Sequence, residues 1–517
     1  MLGDRIKKST QRGGFDIWSL RTAVVLLVVT SVLLVTYHAA EYSGLIPSPP
    51  HPPDTAKAFI WVQPAPDAYV TEDRNKKARP GEMIARIVLP PGSHCPEIMV
   101  DQRPYAMHTR APMTRTDFPV TLCEHRYDGG SEASLLGEAL PRRPNQLKRV
   151  LVIGDTGCRV TLYVIQKDAV QNCNDDDEWP LHTLAKHLAG EAPFDLIIHV
   201  GDYHYLEASC PDSLRECRGK PAGDRWDSWK ADFFDPIRPL LLEAPWVMVR
   251  GNHEDCERAG TGWLHLLGPE RLRNGAPAAC RDDTDPYWLN FEKVSLLVLD
   301  TANAGSKHDA DQRAKTYQGW LQRAFGDKPQ DLADVPAWLI SQEPIWQWPN
   351  KNSAEKSKDG VWLAGRRSNT LEKVAREVIE RAESDNTPGQ RFDLVVSGDT
   401  HVFEAVLPKT EKPYPSQLVF GMSGTALDDR DNDFANFLTT KAGPHKLKLF
   451  LGSDRNEYLD MEVYLISEFG YGVLNHQNNR WTAKFHALDG SERVACRLRG
   501  PEQAARTTCE LDGDPPS

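Results

Sequence analysis

From about residue 148 onward the sequence predicts an α/β fold, preceded by a small all-β module and an N-terminal transmembrane helix. Three observations carry this. Apolar strand-length runs alternate with helix-length amphipathic segments after residue 148, as an α/β arrangement requires. Short β-like runs punctuated by Pro and Gly fill 58–147 without helical periodicity. A charge-free apolar run, TAVVLLVVTSVLLVT over 22–36, has the composition of a membrane span. Along the chain this gives a cytoplasmic tail (1–21), an anchor (22–38), a Pro-rich linker (39–57), a small β-rich domain (58–147), the α/β core (148–430) and C-terminal strands completing the core's sheet (431–517).

Each element follows from its residues. Upstream of the apolar run stand Arg5, Lys7, Lys8, Arg12 and Arg21 against Asp4 and Asp16, and the next basic residue is Lys57. By the positive-inside rule the tail stays cytoplasmic and the rest is exported, with Trp18, Tyr37 and Tyr42 at the interfaces. A cleaved signal peptide is the competing reading, but Tyr37 and His38 stand where an A-x-A cleavage pattern wants small residues. IPSPPHPPD (46–54) reads as an extended spacer. AFIWVQ (58–63), MIARIVLP (83–90), EIMVDQ (97–102) and FPVTLCEHRY (118–127) suit a small β-sandwich-like module. The core runs are VLVI (150–153), LIIHV (196–200), WVMVR (246–250), SLLVLD (295–300), AWLISQEP (337–344) and LVVS (394–397). YLISEF, YGVLNH and RWTAKFHAL add strand-like pieces after residue 462. CNDDDEW (173–179) reads as a solvated acidic loop, with a carboxylate cluster near metals as the alternative.

At 517 residues the chain has room for two or three domains, and 40% hydrophobic residues suffice for packed cores. The net charge of -12 opposes general binding to a nucleic-acid polymer, whose affinity comes mainly from clustered Lys and Arg. It leaves room for a small anion held through bound metal ions. Ten cysteines agree with an oxidising compartment, and as sequence neighbours they make five short-loop pairs, although sequence alone leaves connectivity open. Zinc is the rival use, and no Cys-x-x-Cys spacing supports it.

Four core runs end alike: in Gly154-Asp155-Thr156-Gly157, in Gly201-Asp202-Tyr203-His204-Tyr205, in Gly251-Asn252-His253-Glu254 and in Gly398-Asp399-Thr400-His401. In open α/β sheets, ligands bind beyond the carboxyl ends of the strands. One Gly-Asp there is ordinary turn chemistry. Four such ends together offer oxygen and nitrogen donors suited to a pair of metal ions.

These motifs, in this order, resemble the calcineurin-like metallophosphoesterases over residues 148–430, and Tyr205 three residues after Asp202 resembles the purple-acid-phosphatase-like branch, in its bacterial membrane-anchored type. The resemblance implies a β-sandwich flanked by helices (αββα) and a dinuclear metal-dependent hydrolase of phosphate esters. It implies a first metal site of Asp155, Asp202, Tyr205 and His401, with iron suggested by the phenolate, since tyrosine titrates near pH 10 without a polarising ion. A second site shares Asp202 and adds Asn252. His253 would contact the phosphoryl group or protonate the leaving group, with Asp202 also counted among the catalytic residues, and Glu254 would orient a neighbour. His182, His187, His204 and His265 read as packing or surface residues.

The chain departs from the family at two positions, both on the second metal. Gln342 stands where a His-x-Pro histidine is expected, and Asp399 where the first His of Gly-His-x-His is expected. Either the site is retuned toward a hard divalent ion such as Mn or Mg, or it has decayed and the protein binds without catalysis. Retuning is the reading carried forward, because arbitrary loss rarely leaves two oxygen donors. The expectation is therefore a phosphomonoesterase acting on a small phosphorylated substrate. A phosphodiesterase or nucleotide hydrolase is the alternative, since pocket walls rather than ligands decide. The resemblance also places the catalytic domain in the periplasm or outside the cell, tethered to a bacterial inner membrane.

Overall fold

The structure is a computed structural model that describes residues 58–511 apart from 74–75, 111–115, 162–169, 192, 273–279, 305–309, 327–334, 347–353, 357–361, 365–370, most of 372–391, 411–413, 429–444, 451–457 and 499–506. The expected tail, anchor and linker lie outside the described residues. Among the described residues no helix is long and apolar enough to cross a membrane. The described residues belong to one compact unit.

Two sheets make its centre. Arg149–Ile153, Leu196–His199 and Trp246–Met248 pair in parallel, and all but Arg149 in them are buried. Continuous apolar runs of this kind are what parallel strands covered on both faces require. Arg149–Ile153 then pairs antiparallel with Gly470–Gln477, and hairpins through Arg480–Ala487, Glu492–Arg497 and Thr508–Leu511 extend the sheet to seven strands. Burial in Arg480–Ala487 alternates residue by residue, since one face there meets solvent.

The second sheet has eleven strands, built on the parallel set Val294–Val298, Ala337–Ile340, Leu394–Ser397 and Ser416–Phe420. The inner faces of the two sheets share one apolar layer, where Trp338 meets Trp481 at 4.6 Å and Phe403 stacks on Phe485 at 4.9 Å. Helix Leu181–Glu191 covers the outside of the first sheet through Leu181, Leu184 and Leu188. Helix Ala310–Gly326 covers the outside of the second through Tyr317, Trp320 and Leu321. The layers therefore run helix, sheet, sheet, helix.

Residues 58–147 form two four-stranded antiparallel sheets around their own apolar cluster. This module is fastened to the core. Ala68–Tyr69 adds a strand beside Tyr287–Phe291. The guanidiniums of Arg86 and Arg110 meet Glu124 and reach the carbonyls of Leu264, His265, Leu266 and Gly268, the end of helix Gly260–Leu266. The five disulfides join sequence neighbours: Cys95–Cys123, Cys158–Cys173, Cys210–Cys217, Cys256–Cys280 and Cys496–Cys509.

Candidate metal centre

The parallel strands all deliver their C-terminal ends to one place. Asp155, Asp202 and Asp399 each follow a glycine at a strand end, and each adopts a left-handed backbone (φ 51°, 59° and 70°). That region costs an ordinary residue roughly 1–2 kcal/mol, and Asp tolerates it best after Asn and Gly. Three such residues at one spot mark a place where the surrounding structure holds the backbone for a purpose. Gly251 permits the closest approach: a Cβ there would lie 2.0 Å from Asp202 Oδ1 and 2.2 Å from its nitrogen.

At one end of the cluster the Tyr205 hydroxyl lies 3.1 Å from Asp202 Oδ2, 3.3 Å from Asp155 Oδ1 and 3.0 Å from His401 Nε2. His401 Nε2 is 3.5 Å from Asp155 Oδ1. Donor atoms about 2.1 Å from an ion stand roughly 3.0 Å apart in an octahedron and about 3.4 Å apart in a tetrahedron. The three edges through Tyr205 match that range and the His401–Asp155 edge lies just beyond it, an arrangement in which these four residues could hold a single cation. Among the described residues no group of three or more His, Cys, Asp or Glu side chains forms a metal cage by itself. Here the Tyr205 phenol joins the others into one shell. Asp155 is fully buried, and burial together with Asp202 and Asp399 pushes its carboxyl well above the usual range. Burial, Asp202 and Asp155 likewise push up the Tyr205 phenol. Crowded acids of this sort are what a bound cation neutralises.

At the other end the Gln342 side-chain amide donates from Nε2 to Asp399 Oδ1 (3.0 Å), Asp202 Oδ2 (3.2 Å) and Asn252 Oδ1 (3.3 Å). Asp202 thus touches both ends. All seven residues assigned to metal by sequence converge here.

His253 donates its backbone N–H to Asp202 Oδ1 at 3.0 Å, and its ring lies 3.8 Å from that of Tyr205. Its Nδ1 is 2.7 Å from Glu207 Oε1. Burial pushes the imidazole down to about 3 and the Glu207 carboxyl up. Glu254 is fully buried and accepts the backbone N–H groups of Asp202 (3.1 Å), Tyr203 (2.9 Å), His204 (3.1 Å) and Gly251 (3.0 Å). It fixes two ligand loops against each other rather than orienting one neighbour. His204 and His265 are buried.

Four residues around the centre carried no signal in the sequence. Asp232, on a π-helical turn (Lys230–Phe234), accepts the N–H groups of Cys158 (2.7 Å), Tyr205 (2.6 Å) and Leu206 (3.0 Å), tying the Asp155 and Tyr205 loops together. Burial lifts its carboxyl to about 7 against those hydrogen bonds. Such π-helical turns recur at functional sites. Asp428 lies 3.3 Å from His401 Nδ1 through Oδ1, and its Oδ2 accepts the His401 backbone N–H at 3.1 Å, so it holds the His401 turn in place. Arg159 also reaches Nδ1, and Glu207 holds His253 as above. All four sit in loops or turns with no residue pattern of their own, and only the fold brings them to the strand ends. The 173–179 loop is anchored as well, because Trp179 Nε1 donates to the Thr156 carbonyl at 2.9 Å.

Residues 148–403, which contain every residue assigned above to metal or catalysis, match the sequence model of the calcineurin-like phosphoesterase family. No curated protein matches the chain. Among solved structures, similar folds include the purple acid phosphatase PPD1 of yellow lupin (Lupinus luteus), at 12% identity over 87% of this chain and 73% of that one, TM-score 0.44. PhoD is similar at 11% identity over 88% of this chain and 92% of that one, TM-score 0.47. GAP50, the anchor in the inner membrane complex of Plasmodium, is similar at 14% identity over 69% and 90%, TM-score 0.39. These likenesses are too remote to bear on activity. The motif order, the strand-end cluster and the match over 148–403 agree: the chain carries a calcineurin-like phosphoesterase domain.

Proposed function

We propose that this protein hydrolyses phosphate esters, foremost monoesters of small molecules, with metal held at the strand-end cluster. The observation that carries the reading is the Tyr205 hydroxyl meeting Asp155, Asp202 and His401 within 3.0–3.3 Å among buried acids. Asp155, Asp202, Tyr205 and His401 would hold a cation that would lower the pKa of a water and draw charge from the phosphoryl oxygens. Asp202 would serve both ends of the cluster. The phenolate of Tyr205 favours iron at its end, while the oxygens of Asn252, Asp399 and Asp202 favour Mn or Mg at the other.

His253 would protonate the leaving group or bind a phosphoryl oxygen through Nε2, with Nδ1 held by Glu207. The acidic overall charge disfavours a nucleic-acid polymer as substrate. The apolar run over 22–36, its basic flank and the five disulfides support a domain exported and tethered through the N-terminus. A reporter fused after Lys57 that works only in the cytoplasm would remove that placement.

The test is turnover of p-nitrophenyl phosphate against bis-p-nitrophenyl phosphate in a titration with Fe, Mn, Mg and Zn. A metal-dependent preference for the monoester is the expected result. A preference for the diester replaces the first reading with the phosphodiesterase. Turnover of neither under any metal leaves a binding protein on a hydrolase fold.

A further inference from the structure

The second end of the cluster has an occupant. Gln342 is fully buried, and its backbone is fixed on both sides: its N–H donates to Thr301 Oγ1 at 3.2 Å, and its carbonyl accepts from Gly398 N at 2.9 Å. From there the side chain passes over Gly201, where a Cβ would lie 2.5 Å from Gln342 Cγ. Its Nε2 ends within 3.0–3.3 Å of one oxygen each from Asp399, Asp202 and Asn252. Its Oε1 is buried with no hydrogen-bond partner. An amide nitrogen has two hydrogens and no acceptor capacity, so three converging oxygens select the nitrogen. The reversed amide would set Oε1 against three oxygens, an arrangement only a cation could hold together. Leaving Oε1 without a partner carries a desolvation cost, set against three contacts at Nε2.

We propose that the Gln342 amide nitrogen stands in for the second cation, so that the resting protein holds one tightly bound ion, at Tyr205, and a second ion enters only by displacing the amide. This rests on reading the cluster as a metal centre. The lost His at position 342 is then a replacement of cation by hydrogen-bond donor, and oxygen-only ligation is secondary to that competition. Ligand oxygens around Mg or Mn stand about 2.1 Å from the ion and around Ca about 2.3–2.6 Å. The oxygens here stand at hydrogen-bonding distance from nitrogen instead.

The experiment is elemental analysis of the whole chain, purified natively and desalted, beside Gln342→His and Gln342→Ala, with phosphate-ester turnover read on the same samples. One retained ion per wild-type chain and two per Gln342→His chain are expected. Two in the wild type, or one in a folded Gln342→His, overturn the proposal. Should Gln342→His not fold, Gln342→Ala decides by equilibrium dialysis against Mn: binding of the second ion at least tenfold tighter than in the wild type is expected, and equal or weaker binding overturns it. Two ions with turnover in the wild type would sink the surrogate and keep the hydrolase. One ion with no turnover under any metal would do the reverse. A chain retaining none removes both.

Discussion

Among the described residues, the buried charges around Glu124 and those at the strand ends are built in opposite ways. Where the β module meets helix Gly260–Leu266, Arg86 and Arg110 surround Glu124, with Arg126 alongside. Most of the remaining donors go to main-chain carbonyls of Leu264, His265, Leu266, Gly268 and Pro269, with Arg126 Nε left without a hydrogen bond. Burial alone would raise Glu124, yet Arg110 and Arg86 outweigh it and hold the carboxyl at about 2. At the strand ends three carboxylates crowd together, and Asp155 is pushed the other way, well above its ordinary value.

The first cluster is closed: its cations find acceptors within the protein, including the negative end of a helix. The second is open: its acids face one another, an amide and a phenol. A closed cluster holds a fold together, whereas an open one stores unfavourable charge that only something bound can relieve. The contrast predicts opposite responses to mutation.

The largest effect belongs to the open cluster. Asp202→Ala, which removes the carboxylate shared by both ends, should lower kcat/KM by at least about a thousandfold, or roughly 4 kcal/mol, with the far-UV spectrum unchanged. Full metal content and full turnover in that variant would show that the cluster is as closed as the other. The closed cluster should answer in stability instead. Glu124→Gln leaves buried guanidiniums without their carboxylate and should cost about 3–5 kcal/mol in denaturant unfolding, with the metal content of the folded chain unchanged. A loss below 1 kcal/mol would mean that the carbonyls alone satisfy the arginines.

A smaller effect separates positioning from chemistry at Glu207. Glu207→Ala should slow alkyl phosphates, whose leaving groups need a proton, by about tenfold or more relative to p-nitrophenyl phosphate. Glu207→Gln, which still hydrogen-bonds His253, should recover part of the loss. Equal slowing of both substrates would make Glu207 merely structural. The smallest effect is in acid. The Glu124 carboxyl is depressed in the folded state, so its contribution is complete above its unfolded value near 4.3 and is lost as pH falls toward about 2. Wild-type unfolding free energy should therefore drop between pH 4.5 and pH 2.5 by more than that of Glu124→Gln, and parallel curves would contradict it.

Much of the open cluster was legible in the sequence, because strand-end glycines followed by Asp, Asn or His leave a regular trace. Asp155, Asp202, Asn252 and His401 could be placed by that trace, and Tyr205 and Asp399 only through the resemblance to the calcineurin-like family. Glu207, Asp232, Asp428 and Arg159 could not, since nothing but tertiary folding brings them to the metal-binding loops. The same holds for the closed cluster. Arg86 and Glu124 sit on strands whose apolar pattern announces β structure, but their pairing depends on the register of Glu82–Leu89 against Thr121–Asp128. The disulfides were readable as neighbours because each closes a short loop. What Gln342 does was not readable at all. Its residue type suggested an oxygen ligand, while its amide nitrogen is the atom turned toward the oxygens of Asp202, Asn252 and Asp399.

The claim that the strand-end cluster is open to a cation is tested most directly by the metal content of natively purified protein beside Asp155→Asn, each measured with its thermal stability before and after chelation. The account predicts tightly held metal in the wild type, with iron foremost, and a fall in Tm when it is removed. It predicts loss of that metal in Asp155→Asn, whose metal-free form should be more stable than metal-free wild type because one of the crowded acids is gone. A wild type that hydrolyses phosphate esters without metal, or an Asp155→Asn variant that keeps the full metal content, would contradict it.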